Sequence, residues 1–113
     1  MTPDERVELG ATVLDRHGPS DWRSRVDLES FDVRSQYQCV LGQVYREEAR
    51  RIYPYADGYT YGRDELMRAV DVPKSRVVFW TVSHGFEEIE EIAGRGYAKL
   101  DEAWRRYLTE TRA

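Results

Sequence analysis

Apolar residues recur at helical spacing near both ends of this chain and lose any clean period in the middle. Val7, Ala11 and Leu14 share one face, Leu9 and Val13 widen it, and Thr2, Pro3 and Glu5 supply a capping box with proline at the first helical position. Gly18 and Pro19 stop the pattern, which predicts a helix from Pro3 to His17. At the other end Tyr97, Leu100, Trp104, Tyr107, Leu108 and Thr111 follow each other at three and four, predicting a final helix. Before it, "FEEIEEIAGRG" predicts a short helix with Ile89 and Ile92 inward, broken by Gly94 and Gly96.

Between these ends the signals are shorter. Residues 20–34 carry Trp22, Val26, Leu28, Phe31 and Val33 without a sustained period, which predicts one or two helical turns pinned by those side chains and capped locally at Ser20 and Asp27. Ser35 and Gln38 form a second capping-box pair. A long helix is predicted from there to Pro54, with Tyr37, Val40, Leu41, Val44, Tyr45 and Ile52 on one face and Gln43, Arg46, Glu47 and Arg50 opposite. Cys39 and Gly42, one turn apart on that second side, would let a neighbouring helix approach closely. Leu66, Met67, Ala69 and Val70 mark the inner face of a further helix in "GRDELMRAV". "SRVVFWTVSHGF" is rich in residues that favour strands, yet His84-Gly85-Phe86 reads as a helix C-cap with glycine left-handed and an apolar residue after it. A helix is therefore expected; a strand here would need "RVDLESFDV" or the tyrosine stretch as its partner. The sum is a mostly α-helical single domain, residues 1–113, of five or six helices, with at most a minor β element.

Length and charge narrow the function classes. A chain of 113 residues is one domain, and 41% hydrophobic residues suffice for a core. A net charge of −4 disfavours generic attraction to nucleic acid or anionic membrane. No stretch approaches the ~20 apolar residues of a membrane span, and the acidic "MTPDERVEL" is no signal peptide. One cysteine cannot form an internal disulfide, so a reducing cytoplasm is the expected setting.

Three stretches then stand out together: "WRSRVDLESFDVRSQYQCVLGQVY" (22–45), "SHGFE" (83–87) and "YAKLDEAWRRYL" (97–108). Their C-x-L-G-Q, H-G-F and Y-x-x-L-x-x-A-W patterns resemble a group of small proteins from actinobacteria and their phages. The resemblance covers about half of the chain, and its most specific part runs from Asp27 through Gln43. It implies a shared helical core and a phage-type provenance, with the host cytoplasm as location, rather than a reaction.

Candidate chemistry is sparse. Cys39 lies in the first turn of a predicted helix, where the dipole lowers a thiol pKa, but neither His17 nor His84 stands in a recognisable Cys-His context, and a buried packing role is the plainer reading. One Cys and two His at unrelated spacings match no zinc pattern; Glu87, Glu88, Glu90 and Glu91 read as a solvated acidic face rather than a cation site. No catalytic residue, metal or cofactor is expected.

Two binding readings remain. Residues 64–84 have helix-turn-helix spacing, with Ser75, Arg76 and Thr81 as the side chains to reach bases; Asp71 stands where glycine usually turns, and the glutamates that follow repel phosphate. The preferred reading rests on "YPYADGYTYG", residues 53–62. Tyr53 and Tyr55 are expected to cover the end of the preceding helix. An Asp57-Gly58 turn is expected to throw Tyr59 and Tyr61 outward. Tyr55, Tyr59 and Tyr61 would then contact a host or phage protein, with Arg63 and Asp64 as polar rim, because tyrosine offers large contact area at little rotamer cost.

Overall fold

In the computed structural model, which describes residues 1–88 and 95–112 with the Arg95 side chain left aside, six α-helices and two 3-10 turns follow each other. They are α1 (Pro3–His17), a 3-10 turn at Trp22–Arg25, α2 (Val40–Val44), α3 (Arg46–Ile52), α4 (Gly58–Ala69), a 3-10 turn at Lys74–Arg76, α5 (Val77–Ser83) and α6 (Arg95–Arg112). No strand occurs among the described residues, so the α-versus-β choice for "VVFWTV" resolves to helix.

Helix α1 forms with both halves of its capping box: the Glu5 amide donates to the Thr2 hydroxyl at 3.1 Å and the Thr2 amide to the Glu5 carboxylate at 3.0 Å. Val7, Ala11 and Leu14 face inward, and α1 lies along α6. Leu9 stays mostly outside the stripe. Helix α6 contributes Leu100, Trp104 and Leu108, all fully buried, whereas Thr111 is exposed. Trp104 is the centre of the aromatic core. Its indole donates to the Gly85 carbonyl at 2.7 Å, Trp22 meets it edge-on at 6.4 Å and Phe86 stacks on it at 6.2 Å.

The predicted C-cap at the end of α5 is present. Gly85 adopts φ +70°, its amide donates to Val82, and the Phe86 amide reaches back to Thr81 at 2.9 Å, leaving Phe86 buried against Trp80 and Trp104. Helix α4 ends in the same motif with Asp71 in the left-handed position (φ 57°), Asp71 bonding Arg68 and Val72 bonding Met67. Asp71 thus takes the place in which glycine is usual. Leu66 and Met67 face inward as expected, while Ala69 is exposed.

The central helix differs from expectation. Ser35 accepts from the Gln38 amide at 3.1 Å, but the helix proper starts only at Val40, with Cys39 as its N-cap, and breaks at Tyr45 into α2 and α3. All five residues of α2 are buried, Gln43 included. Gln43 was expected on the outer face. Instead its amide bonds Asp27 on both sides (2.6 and 3.1 Å) and the Gln38 carbonyl at 3.0 Å, stapling the 20–34 segment to α2. That segment forms the expected short turn, and Asp27 accepts from the Glu29 amide as a local cap. Tyr37 and Ile52, expected inside, are exposed, because residues 36–39 precede the helix and α3 swings its last turn outward. The helix expected in "FEEIEEIAGRG" with Ile89 and Ile92 inward lies largely outside the described residues.

Candidate functional site

The tyrosine stretch is organised by two local rules. Pro54 occupies the second position of a turn closed by the Ala56 amide on the Tyr53 carbonyl at 3.1 Å, which places Tyr55 at the tip. Asp57 does not make a free turn. It is the N-cap of α4, its carboxylate accepting from the Thr60 amide at 2.7 Å and from the Thr60 hydroxyl at 3.1 Å. Helix α4 therefore begins at Gly58, several residues before the "GRDELMRAV" expected from the pattern, and Tyr59 and Tyr61 are helical.

Helical placement reverses the expected exposure. Gly58 sits against α2, where an added Cβ would stand 2.3 Å from the Gly42 carbonyl oxygen, so α2 and α4 cross backbone to backbone. The glycine that permits this approach is Gly58; at Gly42 an added Cβ would instead meet the backbone of Gln36 and Tyr37, so the small residue expected to admit a neighbouring helix makes room for the segment that precedes α2. Tyr59, one residue on, enters the core with 7% of its surface exposed, and its hydroxyl donates to Glu87 at 3.0 Å. Burial pushes its phenol pKa upward. Tyr61 is half-buried against Tyr45, 5.9 Å between ring centres. The outward residues are Tyr53 at 56% and Tyr55 at 83%. The expected contacts Tyr59 and Tyr61 are thus corrected to core and groove-wall positions, and Tyr55 alone of the three projects freely. Arg63 is half-buried, its guanidinium over the Tyr59 ring at 5.8 Å and bonded to Asp64 at 3.1 Å.

Around Tyr53 and Tyr55 a surface assembles that the chain pattern alone did not indicate. The Tyr37 hydroxyl donates to the Tyr55 carbonyl at 3.1 Å, bringing a third exposed ring to the turn. Exposed Ile52 closes the other side. Beside them runs a groove of about 260 Å³ between the end of α3 and the outer face of α4. Ile52, Tyr53 and Ala56 form one wall; Tyr61, Asp64, Glu65 and Arg68, at helical spacing, form the other. Asp57, Asp64 and Glu65 set against Arg68 make the groove acidic, and Arg68 is tied to Glu65 at 2.5 Å. The signals that point here are Pro after Tyr53 and Asp before Gly58: a turn and a helix start, rather than one loop.

Other candidates fare differently. Cys39 is buried, its sulfur accepts the Gly42 amide at 3.3 Å, and burial pushes its thiol up to about 12, far from a poised thiolate. His84 stacks on Trp80 at 4.5 Å and donates from Nδ1 to the Trp80 carbonyl at 2.8 Å, and burial holds its imidazole below the usual range. No cluster of three His, Cys, Asp or Glu side chains is placed to hold a metal among the described residues; Glu90 and Glu91 lie outside them. No described helix is long and apolar enough to cross a membrane.

The helix-turn-helix spacing corresponds to α4, a turn and α5. Ser75 and Arg76 are exposed, but Thr81 is corrected from base contact to core: it has no exposed surface, and its hydroxyl bonds Val77, Val78 and Glu87. The outer face of α5 instead presents Val78 and Phe79. No family model matches the chain, and no curated protein or solved structure matches it.

Proposed function

We propose that this chain is a small phage-type accessory protein that works by binding a host or phage protein in the cytoplasm of the host cell. The observation that carries the reading is the cluster of Tyr37, Ile52, Tyr53 and Tyr55, large apolar side chains left outside on a turn held by Pro54 and by the Asp57 cap. Contiguous exposed apolar surface beside a polar rim marks docking sites, and rings held by a short turn lose little freedom on binding. The resemblance of residues 22–45, 83–87 and 97–108 supports the provenance.

A photo-crosslinking amino acid placed at Tyr55, and as a control at exposed Arg16 on α1, tests the reading in cells. Protein adducts specific to position 55 are expected, and equal labelling at both positions would overturn it. Base reading by α5 is disfavoured by its apolar outer face. A gel shift at low salt that weakens on Arg76→Ala would reinstate it.

A further inference from the structure

Each carboxylate of the groove beside Tyr53 is engaged within the molecule: Asp57 holds Thr60, Asp64 holds Arg63 and Glu65 holds Arg68. The cations of α3, the helix that leads into the exposed turn, are in the opposite state. Arg46 is half-buried, and its Nη2 donates to the Tyr37 carbonyl at 3.2 Å and to the Gln38 side-chain oxygen at 2.9 Å, both neutral acceptors. Those two bonds hold the guanidinium in place while Nε and Nη1 make none, and no carboxylate among the described residues pairs with it. Arg50, one turn further on the same helix face, and Arg51 are exposed and equally without an ion pair. Against these three α3 sets only Glu47, which is exposed, and Glu48, which is spent on Arg25. Tyr37 joins the cations to the aromatic cluster, because its carbonyl takes Arg46 and its hydroxyl reaches the Tyr55 carbonyl.

We infer that the segment docked on the exposed tyrosines is acidic: a stretch of the partner protein in which an Asp or Glu stands within a few residues of an apolar side chain. The inference rests on the reading of this cluster as a protein-docking site and adds the chemistry of what docks. The acidic side chain accepts from the donors that Arg46 has left unused, and Arg50 lies one turn away for a second one. The apolar side chain lies against Tyr37, Tyr53 and Tyr55, where it and the rings leave water together. A guanidinium already held by two neutral acceptors loses little freedom on pairing, and a charge-assisted hydrogen bond is stronger than a neutral one. One or two carboxylates suit this rim. A single-stranded nucleic acid, charged at every nucleotide, would carry further phosphates onto Asp57, Asp64 and Glu65 in the adjoining groove. Because part of the contact is exposed to solvent, added salt weakens it.

A random peptide library panned against the full chain, with the selected peptides titrated by fluorescence anisotropy, tests this. The selected peptides are expected to carry Asp or Glu beside an apolar residue. They bind about tenfold more weakly to Arg46→Gln and severalfold more weakly to Arg50→Gln, while Arg16→Gln on α1 leaves binding unchanged. Arg50 makes no hydrogen bond or ion pair in the fold, so its variant carries the test if loss of the Arg46 bonds disturbs Tyr37. In a double-mutant cycle, changing the peptide's acidic residue to its amide costs about tenfold against the unaltered chain and almost nothing against Arg46→Gln, a coupling that a merely structural role for the arginine does not give. Peptides that lack an acidic residue, no binder from the library, or a cycle without coupling at either arginine overturns the acidic segment. So does single-stranded oligothymidylate that binds in an Arg46-dependent way when the peptides do not, which assigns the cations to nucleic acid. If any of these results accompanies adducts specific to position 55 in cells, the acidic character of the partner falls and the docking surface stands. Without those adducts both are overturned.

Discussion

Tyr53 and Tyr55 on one side of Asp57, and Tyr59 and Tyr61 on the other, are chemically the same residues within one ten-residue stretch, yet the first pair faces water and the second faces protein. Residue type does not separate them. Backbone state does. The first pair sits on a turn whose Pro54 directs the chain away from α3, while the second is carried by a helix whose first residue, Gly58, is pressed onto Gly42. Once that crossing is made, helical rotation alone sends Tyr59 inward and leaves Tyr61, Glu65 and Arg68 to form a groove wall. Burial and exposure in such a stretch are decided by which neighbour the backbone touches: Tyr59 enters the core, Tyr61 lines the groove, and Tyr53 and Tyr55 stay outside.

The contrast can be attacked at several strengths. Tyr59→Ala is expected to cost about 3–5 kcal/mol of stability, as for other large aromatic core truncations, and urea titration measures it. An effect below 1 kcal/mol would place Tyr59 outside the core. Gly58→Ala pushes a methyl group into the Gly42 carbonyl and is expected to cost about 1–3 kcal/mol, again by denaturant. A neutral outcome would mean that α2 and α4 do not need their close crossing.

Alkaline pH probes the buried side. Burial raises the Cys39 thiol from 9.0 to about 12 and the Tyr45 phenol from 10.0 to about 12. Both folded values lie above the unfolded ones, so the stabilising contribution is complete below the unfolded values. It is lost as the pH rises from about 9 toward 12, by on the order of 1 kcal/mol per pH unit for each group. Urea midpoints across that range should fall, and Cys39→Ala should flatten the first part of the decline; an unchanged slope in that variant would show that the thiol is hydrated. The smallest stability effect belongs to the outer pair. Tyr55→Ala is expected to shift stability by less than about 0.5 kcal/mol while removing binding, which calorimetry and sedimentation together would separate.

Much of this architecture is legible in the chain because it depends on local chemistry. Thr2, Pro3 and Glu5 start α1 with groups within one turn of each other, and Gly85-Phe86 ends α5 through a left-handed residue that glycine adopts freely. Leu100, Trp104 and Leu108 announce α6 by period alone. Gln43 illustrates what period misses. A polar side chain on a helical wheel reads as outward, but burial is acceptable when three backbone groups satisfy its amide, and those groups come from segments 27 and 38. Ile52 fails in the opposite direction: an apolar residue in phase with the stripe lies beyond the break at Tyr45, so the phase no longer applies. Asp57 was visible as a turn former, yet whether Asp-Gly turns or caps depends on whether a helix has something to pack on.

By itself the sequence determined a mostly helical chain, its strongest helix boundaries, and a concentration of tyrosine around Asp57-Gly58. Caps, breakers and apolar period act over a few residues, and so they are written in those residues. Only the tertiary structure decided which tyrosines face out, that an acidic groove runs beside them, and that α5 shows an apolar tip. Those outcomes hinge on contacts between segments far apart in the chain, Gly42 with Gly58 above all, where a difference of one methyl group sets the distance between two backbones.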